Sequence, residues 1–309
     1  MNNTLDLIIP VKNGGELLIE NLKTWVQQSI PNGWKFSIIV VNDGSTDGIP
    51  EKIQNNTDFK KIIIVNNTYS LGRSGARNRG AKASCSEYLF FVDADCVPAS
   101  QDVVSHYIKE IEMNKSNLIF GSLRTTNNNF WGKYFQEVCE NREKMFLAGN
   151  LSALTTANFV VQKALLETVG GFDNEYKKYG FEDRDLFIRL NKASAQTAFV
   201  PKARVNHEDK TTLQAISRKM LEAGCYSAPI FRKTHLMEYK MMPFYKVDAS
   251  NLNIILKKIL LLLGYSLPIL VIWGQVLLVL PIPYSLKKLV VKLITGSSFL
   301  IGTTKSQSQ

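Results

Sequence analysis

The first half of the chain alternates two hydrophobic patterns, and that alternation restricts its fold more than any other feature. Residues 5–10, 36–42, 61–65 and 87–93 are β-rich, nearly continuous apolar runs of strand length. Such runs suit strands buried on both faces. Amphipathic stretches lie between them. Within 14–28, Leu18, Leu22, Trp25 and Val26 share one helical face, and 76–83 is a second candidate helix. Strand–helix alternation implies an α/β fold with a mainly parallel sheet. Ligands of such sheets bind beyond the carboxyl ends of the strands. Further along, the patterns predict helices at 101–113, 131–146, 182–192 and 211–222, and strands at 117–121 and 157–161.

Composition narrows the class. With 309 residues, 45% hydrophobic and 21% charged, the chain has material for a substantial core, which excludes a disordered or fibrous chain. Cys85, Cys96, Cys139 and Cys225 lack CxxC spacing, which excludes a zinc ribbon and predicts four buried thiols in a reducing compartment. The first residues have neither a basic nor an apolar signal region, so no signal peptide is expected.

Polar residues gather where the strands end. The second run closes in Asn42-Asp43-Gly44-Ser45-Thr46-Asp47. This reads either as a capped turn or as a carboxylate, Asp43, placed to accept a nucleobase N–H or a ribose hydroxyl. The stretch from Gly72 to Gly80 carries Arg73, Arg77 and Arg79 but no G-x-G-x-x-G, so a dinucleotide site is unsupported. Its arginines are either solvated or placed for phosphate. The fourth run ends in Asp93-Ala94-Asp95. Two carboxylates at i and i+2 after a buried strand require a cation or hydrogen bonds to offset their charge. Oxygen ligands favour Mg²⁺ or Mn²⁺, completed by water and a diphosphate. Glu182-Asp183 opens an amphipathic helix, either as N-terminal capping or as a general base. His207 follows a strand-like run at 203–207.

Taken in order, these motifs resemble the family 2 glycosyltransferases of the GT-A fold. The resemblance rests on Ile9-Pro10-Val11, Asn42 through Asp47, Gly72 through Gly80 with Ala76-Arg77-Asn78, Asp93-Ala94-Asp95, Gly170-Gly171-Phe172-Asp173, Glu182-Asp183 and His207. It covers residues 4–210, about two thirds of the chain. It implies an inverting transfer from a nucleotide-diphosphate sugar, of the type that builds bacterial surface glycans. Carried over residue by residue, Pro10, Asp43, Arg73, Arg77, Asp93 and Asp95 would bind the donor. Asp43 would read the base, usually uracil. Asp95, with Asp93 and His207, would hold Mn²⁺ or Mg²⁺. Asp183 would be the general base, and Glu182, Gly171, Phe172 and Asp173 would face the acceptor. Processive members carry Gln-x-x-Arg-Trp; here Gln214 is followed by Arg218-Lys219, with other spacing and no tryptophan, so a single addition is expected.

The last third differs. Residues 1–200 carry 22 basic and 22 acidic side chains, whereas 201–309 carry 15 and 5, so the net charge of +10 lies entirely there. From Ile259 to Leu286 no residue is charged, and Lys257-Lys258 and Lys287-Lys288 flank the run. Residues 259–280 would give roughly 33 Å of helix, enough for a hydrocarbon core of about 30 Å. Gly264, Pro268, Gly274, Pro281 and Pro283 predict kinks. The expected organisation is a catalytic domain over 1–225, with a nucleotide-sugar half to about 100 and an acceptor half to 225. A basic linker over 226–258 and a membrane-associated hairpin or single span over 259–302 would follow. The basic excess fits an anionic leaflet or a lipid-diphosphate acceptor, at the cytoplasmic face of a bacterial plasma membrane. Cutting after Asp248 should then leave the donor site intact. A nucleic-acid partner is disfavoured, because the basic residues interleave with the apolar run. Two rival readings remain. A sugar nucleotidyltransferase would need a glycine-rich loop after the first strand, where Lys12-Asn13-Gly14-Gly15 is a poor match. A non-catalytic membrane-anchored glycan-binding protein would not need the Asp93/Asp95/Asp183 set.

Overall fold

The computed structural model describes residues 3–208 and 211–305. The chain divides into two compact units. One comprises 1–127, 135–174 and 186–209; the other comprises 128–134, 175–185 and 210–309. Met1, Asn2 and Asp209, the last of which follows His207 and Glu208 in the sequence, lie outside the described residues.

The first unit is built on an eight-stranded sheet. Its strands are β1 (Thr4–Val11), β2 (Lys35–Asn42), β3 (Ile62–Asn66), β4 (Tyr88–Val92), β5 (Cys96–Pro98), β6 (Leu118–Arg124), β7 (Asn158–Gln162) and β8 (Thr197–His207). They lie in the order β3-β2-β1-β4-β7-β6-β8-β5. Strands β1 to β4 pair in parallel, as their apolar runs predict. Beyond β4 the sheet is mixed rather than mainly parallel: β7 runs antiparallel to β4 and β6, and β5 antiparallel to β8. Past residue 95 successive strands no longer pair in parallel: β6 and β7 are antiparallel neighbours, and β5 lies at the sheet edge beside β8. Most of β8 escaped sequence reading because Pro201, Lys202 and Arg204 interrupt its pattern; they are exposed, as polar strand positions are.

The helices are α1 (Gly15–Trp25), α2 (Ile49–Asn55), α3 (Gly72–Ala83), α4 (Val103–Asn114), α5 (Phe130–Leu147), α6 (Lys163–Thr168) and α7 (Glu182–Lys192). Alternate strand residues feed two cores. On one face Leu7, Ile9, Val40 and Phe90 pack with Leu22 and Trp25 of α1 and Tyr107 of α4. On the other, Ile8, Val41 and Phe91 pack with Ala76 of α3 and Leu186, Phe187 and Leu190 of α7. Helix α3 starts four residues before the expected helix at 76, so the glycine–arginine stretch Gly72–Gly80 is helical throughout. Of the thiols, Cys96 and Cys139 are buried, but Cys85 is exposed and Cys225 half-buried, so two of the four depart from expectation. Burial pushes the Cys139 thiol up to about 12.

In the second unit α8 (Leu213–Glu222) runs through a π-helical stretch, Ala223–Ser227, into α9 (Ala228–Thr234). Then follow α10 (Leu236–Lys240), α11 (Pro243–Lys246), α12 (Ile254–Gly264), α13 (Leu267–Val279) and α14 (Tyr284–Lys305). Residues 226–258 are therefore folded, not a linker. Phe231, Tyr239 and Ala249 are fully buried there, and Asp248 accepts hydrogen bonds from Arg232 (2.8 Å) and Tyr239 (2.7 Å). The long apolar run is two helices, α12 and α13, bent by 53°. Pro268 sits in the first turn of α13, where its ring cannot continue a helix through Gly264. Among the described residues no single helix is long and apolar enough to cross a membrane. Leu267, Val271 and Leu278 of α13 pack against Val291 and Ile294 of α14 and Leu213 of α8. Helix α14 crosses the π-helical stretch so closely that a Cβ on Gly224 would stand 2.9 Å from the Thr303 nitrogen.

Glycine at 80 lets α3 lie against the sheet, since a Cβ there would meet Ile8 and stand 2.9 Å from Val41 Cγ2. Gly80→Ala should lower unfolding stability by about 1–3 kcal/mol, the usual cost of overpacking. An unchanged urea midpoint would show that α3 can move away.

Candidate active site

The loops after β1, β2 and β3 and the start of α3 are tied to one another. Asn13 Oδ1 accepts from the Thr46 N–H (2.8 Å), and Ser45 Oγ from the Asn13 N–H (2.9 Å). Asp47 accepts from the Gly15 N–H at 2.9 Å. Asp43 is buried and accepts four hydrogen bonds: from Asn67 Nδ2 (3.0 Å), Ser70 Oγ (2.7 Å), and the N–H groups of Leu71 (2.7 Å) and Gly72 (3.1 Å). A carboxylate has about four acceptor positions. Asp43 therefore holds the loop that starts α3, and its reading as a free acceptor for a nucleobase is corrected. Gly44 beside it has φ 72°, and a Cβ there would stand 3.1 Å from the Ser70 nitrogen. Pro10 lies half-buried in β1, and Arg73 is exposed in the first turn of α3.

The end of β4 is the centre of the site. The Cys96 N–H returns to the Asp93 carbonyl at 3.0 Å, closing Asp93-Ala94-Asp95 into a tight turn. Arg77 points inward from α3, 3% exposed. Its Nη2 donates to Asp93 Oδ1 at 2.8 Å, and its guanidinium lies 5.4 Å from the Phe172 ring centroid. Its Nε and Nη1 are buried without hydrogen-bond partners. Strand β5 then pairs antiparallel with β8, Cys96 opposite His207. That register places His207 Nε2 3.3 Å from Asp95 Oδ2. The His207 ring stacks on Phe135, centroids 4.9 Å apart, and the Glu208 N–H donates to the Asp95 carbonyl at 2.9 Å.

Arg77 thus meets Asp93, and His207 meets Asp95, in two pairs on one turn. Among the described residues no three candidate ligands gather tightly enough to hold a metal alone. A carboxylate and an imidazole in contact nonetheless fit a cation that takes its other ligands from a diphosphate and water.

The residues expected to face the acceptor divide. Phe172 is 1% exposed and packs on Phe91, so it is a core residue, not an acceptor contact. Asn78 clamps its backbone, accepting from the Phe172 N–H (2.9 Å) and donating to the Phe172 carbonyl (2.7 Å). Gly171 has φ 73°, and a Cβ there would stand 2.7 Å from Asn78 Oδ1; its carbonyl accepts from Arg189 at 2.8 Å. Asp173 is half-exposed. In the second unit, Glu182 is buried and Asp183 half-exposed in the first turn of α7, so only Asp183 offers its carboxylate outward. Sequence reading missed the third acid of that turn, Asp185, whose Oδ1 lies 2.8 Å from His235 Nε2. The acid-rich run Glu182-Asp183-Arg184-Asp185 was its visible signal.

A family model described as glycosyl transferase family 2 matches residues 6–170, and one described as N-terminal domain of galactosyltransferase matches 141–211. The poly(ribitol-phosphate) beta-glucosyltransferase of Bacillus spizizenii is 31% identical over 125 residues, 40% of this chain and 19% of that protein. The pre-mycofactocin glycosyltransferase of Mycobacterium tuberculosis is 26% identical over 238 residues, 72% of this chain and 47% of that one. The matched region thus spans less than half of either relative's length. Among solved structures, the mannosyltransferase PcManGT from Pyrobaculum calidifontis in complex with GDP-Man and Mn²⁺ aligns with TM-score 0.62 at 17% identity, covering 98% of this chain and 86% of that one. S. aureus TarS 1–349 in complex with UDP aligns with TM-score 0.56 at 15% identity, covering 99% and 92%. These likenesses establish the fold, GT-A.

Asp43→Asn replaces one acceptor oxygen by an NH₂ facing donors. We expect a local loss of about 1–3 kcal/mol, read as faster hydrogen exchange at the Leu71 and Gly72 amides. Unchanged exchange would return Asp43 to the ligand.

Proposed function

The chain belongs to glycosyl transferase family 2, and we propose that it moves one sugar, with inversion, from a UDP-sugar to a hydroxyl of a lipid-linked or surface-glycan acceptor. The observation that carries this reading is the meeting of Asp95 and His207 beside the Arg77–Asp93 pair at the end of β4. The leaving diphosphate gathers negative charge, and the residues that face it must offset that charge. Asp95 and His207 would hold Mn²⁺ or Mg²⁺, which would neutralise charge on the leaving diphosphate. The mannosyltransferase complex, solved with Mn²⁺, supports that choice. Arg77 fixes Asp93, leaving the other Asp93 carboxylate oxygen for the ribose. Asp183 takes the proton from the acceptor hydroxyl; inversion requires attack on the face of the sugar away from its leaving group.

The acceptor side supports a membrane setting. The unit that carries Glu182 and Asp183 also contains α12 to α14. These helices expose Ile255, Leu262, Trp273 and Val279 at 64–78%, with Lys257, Lys258, Lys287, Lys288 and Lys292 among them. Apolar surface on this scale marks an interaction site, and interspersed lysines favour an anionic leaflet. One face of α13 is occupied by α8 and α14. In this reading the pair α12–α13 lies in the interface of one leaflet, at the cytoplasmic face of a bacterial membrane.

Asp183→Asn should lower kcat by 10²–10⁴-fold with donor affinity unchanged, as loss of a general base does; a kcat within a few-fold of wild type removes Asp183 from the role. Asp95→Ala should abolish the Mn²⁺ dependence of UDP affinity, and His207→Ala should weaken it; unchanged Mn²⁺ titrations in both would leave the pair structural. The full chain should float with vesicles containing anionic lipid and bind neutral ones weakly. Recovery in the high-speed supernatant beside anionic vesicles would contradict the membrane reading.

A further inference from the structure

We propose that His235 is a positioning residue for the acceptor-side carboxylate, acting through Asp185. The proposal rests on the reading of Asp183 as general base.

Glu182, Asp183 and Arg184 are bracketed by two anchored residues, Phe181 and Asp185. Phe181 is buried with φ 69°, a left-handed backbone that a bulky residue keeps only where its surroundings hold it. Those surroundings are the rings of Phe231 (5.0 Å between centroids), Phe244 (5.3 Å), Tyr239 (6.0 Å) and Phe299 (6.3 Å). Asp185 closes the first turn of α7, its N–H donating to the Phe181 carbonyl at 2.9 Å. Its carboxylate meets His235 Nε2 at 2.8 Å, with Asp185 3% and His235 5% exposed.

His235 lies at the junction of α9 and α10. Its N–H donates to the Phe231 carbonyl and its own carbonyl accepts from the Tyr239 N–H, both at 2.8 Å, and its ring packs on Phe231 at 4.9 Å. Phe231 and His235, four residues apart, therefore hold Phe181 and Asp185, also four residues apart. The junction is itself fixed, because Arg232 and Tyr239 both bond to Asp248.

His235 Nδ1 is buried and has no hydrogen-bond partner. A buried polar atom left unpaired is costly, and an apolar side chain of similar size would fill the volume without that cost. What the imidazole supplies is a bond to the buried Asp185 carboxylate, which favours its burial. Successive helical residues project about 100° apart, so Asp183 and Asp185 point about 200° apart around α7. Drawing Asp185 inward turns Asp183 outward, in agreement with their burial.

The test uses the full chain in bacterial membranes, which supply the acceptor, and reads UDP release from a panel of UDP-sugars, normalised to folded protein by circular dichroism. Loss of the anchor misplaces Asp183, and displacement of about 1 Å can cost about 100-fold in rate. His235→Ala should therefore lower kcat about 10–100-fold and leave the donor KM within about threefold. His235→Gln, whose amide can donate to Asp185, should recover to within about fivefold of wild type. A merely structural role changes the amount of folded protein but not this split or this rescue. The proposal is overturned if His235→Ala keeps kcat within about threefold of wild type, or if folded His235→Gln is as slow as His235→Ala. Should His235→Ala not fold, His235→Gln decides alone: a kcat as low as that of Asp183→Asn overturns it. An Asp183→Asn variant with unchanged kcat sinks the general-base reading, and this proposal with it.

Discussion

Three residues of β5, running back along β8, are the constraint on which the candidate site depends. The parallel strands deliver Asp43 and Asp93 to one end of the sheet, as strand–helix alternation does in general. They cannot deliver His207, which lies 112 residues beyond Asp95 in the numbering. The β5–β8 register does so, with Cys96 opposite His207 and Pro98 opposite Val205. The turn before it is held from α1 as well. Asn21 Nδ2 donates to the Ala94 carbonyl at 2.9 Å, and Trp25 Nε1 to the Cys96 carbonyl at 3.2 Å. Farther along, the Ala99 N–H donates to the Arg204 carbonyl at 3.0 Å. The Asp-Ala-Asp turn is therefore fixed on both sides.

The four parallel strands were legible because each is a buried run with one repeating cause, the removal of apolar side chains from water on both faces. The start of α7 was legible to the residue. What escaped reading depends on partners distant in sequence. Strand β5 has three residues and no periodicity to detect. Arg77 and Asp93 were each identified, but their 2.8 Å pair was not, because it joins a helix face to a strand end. Asp43 and Phe172 show the reverse case. Their motif positions attracted a ligand role, while the structure spends the Asp43 carboxylate on its own loop and Phe172 on the core.

The second unit departs furthest from expectation. Its stretch 226–258 reads as a basic linker because the buried residues there are spread over α9, α10 and α11, of seven, five and four residues. The aromatic rings that support Phe181 come from α9, α10, α11 and α14. A cut after Asp248 would remove Phe299 and uncover Gly224. The segment is part of a core as well as the source of the exposed apolar face. Asp183, the proposed general base, and that exposed apolar face lie on one folded unit, the arrangement that the proposed lipid-presented acceptor calls for.

The central claim is cation-dependent transfer from a nucleotide sugar. It is tested most directly with the wild-type chain in bacterial membranes, measuring nucleoside diphosphate released from UDP- and GDP-sugars in Mn²⁺ and in EDTA. The account predicts release from at least one UDP-sugar in Mn²⁺ and its loss in EDTA. Equal release in EDTA, or none from any donor in Mn²⁺, would contradict it.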